Sequence, residues 1–154
     1  MRFHISNDDH PPIDQYLSTG VLPYIIDFLD VKYFEHTDLL NECSWIVVNV
    51  CSGSEKNVDF SVSLNIIPKA INLLAHPNES IQENALWILA NIAGTSIEYK
   101  DILINFDVVE KISNFMKKSS SNSLVSNILW LVANLTRNPL PSAENVSIIK
   151  KILF

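Results

Sequence analysis

Glycine and arginine are both scarce in this sequence. Of 154 residues only 3 are glycine, and Arg2 and Arg137 are the only arginines. Phosphate-binding loops and nucleophile elbows require glycine at fixed positions, so the sequence offers no catalytic residue and we expect no enzyme. The formal net charge of −6 and the lack of a basic patch argue against nucleic-acid binding and favour cationic partners.

Cysteine, histidine and apolar runs are too sparse or too scattered to suggest a chemical site. Cys43 and Cys51 lie eight residues apart on one predicted helix, too far to form a disulfide, so we expect buried reduced thiols in an intracellular compartment. The histidines fall in polar loops at no metal-ligand spacing, so we expect no metal and no cofactor. No apolar run approaches the roughly 18 residues of a membrane span, so we expect no membrane contact.

Tryptophan, in contrast, recurs in one pattern. Each of the three tryptophans is followed four residues later by asparagine, which places both side chains on one face of a helix. The pairs are Trp45 and Asn49, Trp87 and Asn91, and Trp130 and Asn134. Successive tryptophans are 42 and 43 residues apart, within the roughly 40–47 residue period of HEAT and armadillo repeats. The period therefore predicts a solenoid.

A second landmark shares this period. Gly20, Asn65 and Asp107 each separate two short predicted helices, and glycine, asparagine and aspartate tolerate the left-handed conformation of a tight corner. We predict an all-α solenoid with about three repeats of three helices each and a partial fourth. The predicted repeats are 11–53, 54–95, 96–138 and the partial 139–154, preceded by a flexible segment 1–10.

The recurring asparagine favours a binding role for the paired positions. A tryptophan that recurs in a repeat protein can be plain core. An amide buried without partners costs a few kcal/mol, however, and an apolar packing face has no use for one at the same place three times. We therefore predict that the asparagines face a ligand.

The residues around these pairs resemble importin α (karyopherin α), the adaptor that carries proteins bearing nuclear localisation signals. The matching segments are PPIDQYLSTGVLPYIIDFL at 11–29, ENALWILANIAGTSIEYKDIL at 83–103 and NILWLVANLTRN at 127–138. The resemblance implies an armadillo-repeat right-handed superhelical solenoid. It also implies that the asparagines grip the backbone of an extended peptide, while parallel indole rings leave slots for lysine or arginine side chains. The candidate signal-binding residues are Trp45, Asn49, Ser52, Gly53, Glu83, Trp87, Asn91, Thr95, Trp130, Asn134 and Arg137.

Two positions, one of them a candidate residue, depart from the family pattern. Thr95 stands where importin α usually carries an acidic residue that meets the key lysine of the signal, and Val58 replaces a threonine that helps to hold the same lysine. Losing a charged hydrogen bond costs about 1.5–3 kcal/mol, so the signal affinity should be reduced. Glu83 is placed to meet a cationic side chain of the peptide or is an ordinary solvated charge, and Arg137 either shapes the groove or favours a helix C-terminus.

The resemblance leaves two functions open. The first is a nuclear import adaptor module that binds Lys/Arg-rich nuclear localisation signals of cargo proteins, in the cytoplasm and the nucleus. The second is an armadillo scaffold for protein–protein interaction that has lost signal binding. Importin β binding is not expected, because the sequence shows no basic N-terminal segment. Self-association through uncapped solenoid ends stays open, because Ile148, Ile149, Ile152, Leu153 and Phe154 are expected to leave an apolar face there.

Overall fold

Only helices are found in the part of the chain that the structure describes. The structure is a computed structural model that describes residues 12–117 and 121–153, with the side chains of 151–153 excepted. The α-helices in these ranges are α1 (Ile13–Ser18), α2 (Leu22–Asp27), α3 (Thr37–Cys51), α4 (Glu55–Ser63), α5 (Ile66–Leu73), α6 (Glu79–Thr95), α7 (Ile97–Asn105), α8 (Val108–Met116), α9 (Asn122–Thr136) and α10 (Ala143–Leu153). A 3-10 helix, Val31–Tyr33, precedes α3. The segment 1–10, predicted to be flexible, lies outside the described residues.

The three predicted corners are confirmed. Gly20, Asn65 and Asp107 have φ angles of 72°, 60° and 58°, and they separate α1 from α2, α4 from α5, and α7 from α8. A positive φ lets the chain turn sharply between two short helices without an intervening loop. Each corner thereby brings a pair of short helices against a long one.

Helices α3, α6 and α9 are the long helices, and they carry the tryptophan–asparagine pairs. Helix α6 lies between the other two and makes the most extensive helix contacts of the described chain with both. Its residues Leu86, Ile88, Leu89 and Ile92 are completely buried, because apolar side chains occur on more than one side of the helix. No helix in the described ranges is long and apolar enough to cross a membrane.

Polar contacts fix the turn before α6. The N-cap of α6 is Asn78, since the Asn78 side chain accepts a hydrogen bond from the Ile81 N–H. His76 lies in the loop between α5 and α6, as expected, but its ring is buried. Its Nδ1 accepts from the Asn78 N–H at 3.0 Å, which leaves Nε2 to donate to the Phe34 carbonyl at 3.1 Å. The histidine therefore ties two neighbouring repeats together.

The cysteines are buried free thiols, as predicted. Cys43 and Cys51 are 5% and 3% exposed and form no disulfide. Burial raises the pKa of Cys43 to about 11 and that of Cys51 to about 12. Both thiols are therefore uncharged at neutral pH.

The last described helix packs more closely than the sequence suggested. Ile149 is 3% exposed and belongs to the core, and Ile148 packs partly against it, so the expectation that these two leave an exposed apolar face was wrong. The side chains of Ile152, Leu153 and Phe154 lie outside the described residues. The start of α10 is held by Asp101, whose carboxylate accepts hydrogen bonds from the Ser142 N–H at 2.9 Å and the Asn145 amide at 2.6 Å.

The corner residue Asn65 gives a first prediction. Alanine has no side-chain oxygen to compensate the left-handed conformation, so Asn65→Ala should lower the free energy of unfolding by about 1 kcal/mol, and Asn65→Gly should not lower it. Urea denaturation followed by circular dichroism measures this. Asn72→Ala, an exposed position within α5, is the matched control. Equal effects at positions 65 and 72 would contradict the argument.

Asp101 gives a prediction on pH. Burial on its own would raise the pKa of Asp101, but the hydrogen bonds from Ser142 and Asn145 outweigh it, so the pKa lies below its ordinary value. Because the pKa is lower in the folded chain than in the unfolded one, the ionised carboxylate stabilises the fold above about pH 4. That stabilisation is lost as the pH falls through the folded-state pKa.

The wild-type chain should therefore lose more stability than Asp101→Asn between pH 6 and pH 3. Urea titrations at several pH values measure the difference, in which the other carboxylates cancel because both proteins share them. Parallel pH profiles for the two proteins would show that Asp101 contributes nothing.

Candidate functional site

One cavity collects most of the candidate site residues. Its volume is about 430 Å³, and it lies between the end of α3, the last turns of α6 and the second half of α9. The candidates that line it are Ser52, Gly53, Asn91, Thr95, Trp130, Asn134 and Arg137. The candidates outside its lining are Trp45, Asn49, Glu83 and Trp87. A larger cavity of about 690 Å³, among α5, α6, α8 and α9, contains no candidate residue.

The tryptophans are not equivalent. Trp87 and Trp130 are 40% and 38% exposed, whereas Trp45 is partly buried against the core. The rings of Trp87 and Trp130 meet edge to face, with centroids 5.4 Å apart and planes at 61°. Parallel rings with an open slot were predicted, and this was wrong for this pair, because aromatic rings in contact prefer the edge-to-face arrangement. The Trp87 ring N–H also donates to Asn127 at 3.1 Å.

The asparagine amides have partners within the protein. The amide of Asn134 donates to the Ala90 carbonyl at 2.9 Å, and that of Asn91 donates to the Val48 carbonyl at 3.5 Å. In both cases the acceptor is the third residue after the tryptophan of the preceding long helix. The first asparagine, Asn49, donates to Trp45 in its own helix at 2.8 Å. The expectation that helix packing has no use for this amide was therefore wrong.

These hydrogen bonds leave other donors and acceptors of the asparagine amides unused. An amide has two N–H donors and a carbonyl acceptor, and each of these hydrogen bonds uses one donor. Asn91 and Asn134 both line the cavity, although Asn134 is only 7% exposed. The same side chain can thus join two helices and present polar groups at the cavity.

Glu83 and Arg137 also contact neighbouring helices. The Glu83 carboxylate accepts a hydrogen bond from the Ser123 hydroxyl, so it links α6 to α9. The Arg137 guanidinium lies 3.4 Å from the Gly94 carbonyl in the last turn of α6, where a positive charge is favourable. It also lines the cavity.

Glycine at position 53 has a packing reason. A Cβ atom there would stand 2.9 Å from the side-chain nitrogen of Asn57 and 3.2 Å from the Val50 carbonyl, closer than such atoms normally approach. Of the two departures from the family pattern, Val58 is buried and does not line the cavity. Thr95 does line it, and its hydroxyl donates to the Asn91 carbonyl at 2.9 Å.

Sequence reasoning missed one charged residue of the cavity. Glu55, exposed in the first turn of α4, lies in the lining, together with the uncharged Cys51, Ala90 and Gly94. The available signal was its place directly after the loop 52–54, which follows the first tryptophan helix.

The side of the cavity next to Glu55 is negatively charged. The Tyr99 hydroxyl donates to Asp59 at 2.5 Å. Burial, that hydrogen bond, and the charges of Asp59, Glu55 and Glu98 together raise the pKa of Tyr99 to about 12. A cation that approaches this side is therefore attracted.

The chain is similar in sequence to a known repeat family and to several importin subunits. The Armadillo/beta-catenin-like repeat family matches residues 54–94. Importin subunit alpha-1b of Oryza sativa subsp. japonica is 29% identical over 92% of this chain and 26% of its own length. Importin subunit alpha-2 of Caenorhabditis elegans is 32% identical over 93% of this chain and 27% of its own length. The chain thus spans about a quarter of the length of these relatives.

Solved structures agree on the fold. A designed armadillo repeat protein in complex with the peptide (KR)4 is 18% identical with a TM-score of 0.82, covering 99% of this chain and 60% of that one. A computationally designed armadillo repeat protein for modular peptide recognition is 16% identical with a TM-score of 0.83, covering 98% of this chain and 60% of that one. The chain is therefore an armadillo-repeat solenoid, similar in sequence to importin α subunits over nearly its whole described length.

Proposed function

We propose that this chain is a nuclear import adaptor module, which binds Lys/Arg-rich nuclear localisation signals of cargo proteins in an extended conformation. The observation that carries the proposal is the cavity in which seven candidate residues meet. Its polar side chains include two asparagines of the repeating pairs, and its aromatic face comes from Trp130. An importin-like role places the protein in the cytoplasm and the nucleus.

The spacing of the repeats suits an extended peptide. Packed helices lie about 8–10 Å apart, and an extended chain advances about 3.3 Å per residue, so each repeat meets about three peptide residues. Two neighbouring Trp/Asn pairs therefore suit a short basic cluster in the peptide. Backbone recognition by the asparagines would leave the choice of side chain to the tryptophan faces and the charges around them.

The contact between Trp87 and Trp130 does not prevent the entry of a cationic side chain. An edge-to-face aromatic pair contributes about 0.5–1.5 kcal/mol beyond its burial. A lysine or arginine over an indole face contributes about 0.5–2 kcal/mol. The two contributions are similar, so separating the rings to admit a side chain is close to neutral in free energy.

The comparisons supply further support. The relatives are named importin alpha subunits. A designed protein of the same fold is in complex with (KR)4, a peptide of the chemistry proposed here. The net charge of −6 also favours a cationic ligand.

A second candidate function is a scaffold that has lost signal binding. Three contacts favour it, since the hydrogen bonds of Asn91 and Asn134 and the Trp87–Trp130 ring contact all serve helix packing. Thr95 and Val58 also provide no charge for the key lysine. In that case the partners would bind through other surfaces, among them the ends of the solenoid in self-association.

Direct titration separates the two functions. We expect the chain to bind a short lysine-rich signal peptide with a dissociation constant in the micromolar range. The affinity is limited because few Trp/Asn pairs are present and because Thr95 stands where the family usually has an acidic residue. The same peptide with its key lysine replaced by alanine should bind at least about tenfold more weakly, because one charge-assisted contact is lost. Isothermal titration calorimetry measures both constants. A folded, monodisperse sample that binds neither peptide would favour the scaffold.

Substitution of Trp130 tests the groove. Trp130→Ala should weaken binding of the lysine-rich peptide about tenfold, because it removes the aromatic face that lines the cavity. Leu129→Ala is the matched control, since Leu129 is 58% exposed on the same helix and does not line the cavity. Circular dichroism melting should show that both variants are folded. Equal peptide affinities for the two variants would place the binding site elsewhere.

A further inference from the structure

The cavity contains two charged side chains of opposite sign. Among its lining residues these are Glu55 and Arg137. The remaining lining residues are uncharged, including Thr95, whose hydroxyl proton is donated to the Asn91 carbonyl. A cation inside this cavity therefore finds a carboxylate only at Glu55.

Glu55 is available for a ligand. It is exposed at the first turn of α4, and within the described ranges its carboxylate forms no hydrogen bond or ion pair. Asp59, one turn further along α4, is instead engaged by the Tyr99 hydroxyl. Glu98 contributes to the negative charge around Tyr99 but does not line the cavity.

Arg137 contributes the positive charge of the cavity. Its guanidinium is held near the Gly94 carbonyl, at the C-terminal end of α6, and it repels a cation placed beside it. Glu55 lies just beyond the C-terminal end of α3, on a different helix. The two charges thus favour a lysine or arginine on the α3 and α4 side of the cavity.

We propose that Glu55 is the anionic partner of the lysine or arginine side chain that occupies this cavity. The inference rests on the proposed function, and it names the residue that fixes which position of a basic peptide is held here. Glu55 thereby takes the part that the uncharged Thr95 cannot take. The contact is a salt bridge near the surface, so it is sensitive to ionic strength.

The experiment combines one substitution in the protein with one in the peptide. Glu55→Gln removes the charge and keeps the size of the side chain. It should weaken binding of the lysine-rich peptide about fivefold at low salt, and it should leave the affinity for the peptide with alanine at the key lysine unchanged. Glu98→Gln is the matched control, because it removes a charge nearby that does not line the cavity, and it should change neither affinity by more than about twofold. Calorimetry measures the dissociation constants of the wild-type chain and of both variants for the two peptides. Circular dichroism checks that the variants are folded.

The outcomes separate this inference from the function on which it rests. If the wild-type chain binds neither peptide, the proposed function fails and the role of Glu55 fails with it. If the wild-type chain prefers the lysine peptide and Glu55→Gln keeps the full preference, the role of Glu55 alone is overturned. Equal losses in Glu55→Gln and Glu98→Gln would also overturn it, since they would indicate a diffuse field instead of a contact.

Discussion

The structure depends on the burial of α6 between α3 and α9. A single repeat cannot cover its own apolar surface, so each long helix needs a neighbour on either side. Helix α6 has both, and its central side chains are completely buried. The residues that line the cavity take their positions from this packing, because they lie along the edges at which the three long helices meet.

Polar contacts between the long helices fix their relative register. The amides of Asn91 and Asn134 donate to equivalent carbonyls of the preceding helix, and Asn84 donates to Ser44 at 2.9 Å in the same direction. Hydrogen bonds are more directional than apolar contacts, so they specify how far one helix is displaced along the next. The asparagine side chains proposed to bind a peptide thus also set the spacing between the Trp/Asn pairs of successive long helices.

The sequence predicts the fold well because the fold is periodic. The tryptophans and the corners at Asn65 and Asp107 are separated by similar intervals, and both depend on local conformation, which a single segment carries. The resemblance to importin α also follows from contiguous segments. These features require no knowledge of how one repeat packs on the next.

The site was less predictable for the same reason. The edge-to-face contact of Trp87 and Trp130, the carbonyl partners of the asparagines, and the burial of His76 all arise between residues about 40 positions apart. Glu55 was missed because its place in the cavity depends on the direction in which α4 leaves the loop. Contacts between repeats are set by packing, and a pattern within one repeat does not report them.

One buried lysine connects the groove to the end of the described chain. Lys100 is 3% exposed, and its ammonium group donates to the carbonyls of Arg137 at 2.6 Å and of Pro139 at 2.8 Å. The backbone that carries the groove arginine is thereby anchored to α7, next to Asp101, which holds the start of α10. The backbone between Arg137 and the start of α10 is therefore fixed from α7, so a displacement of α7 would move the arginine of the cavity and the start of α10 together.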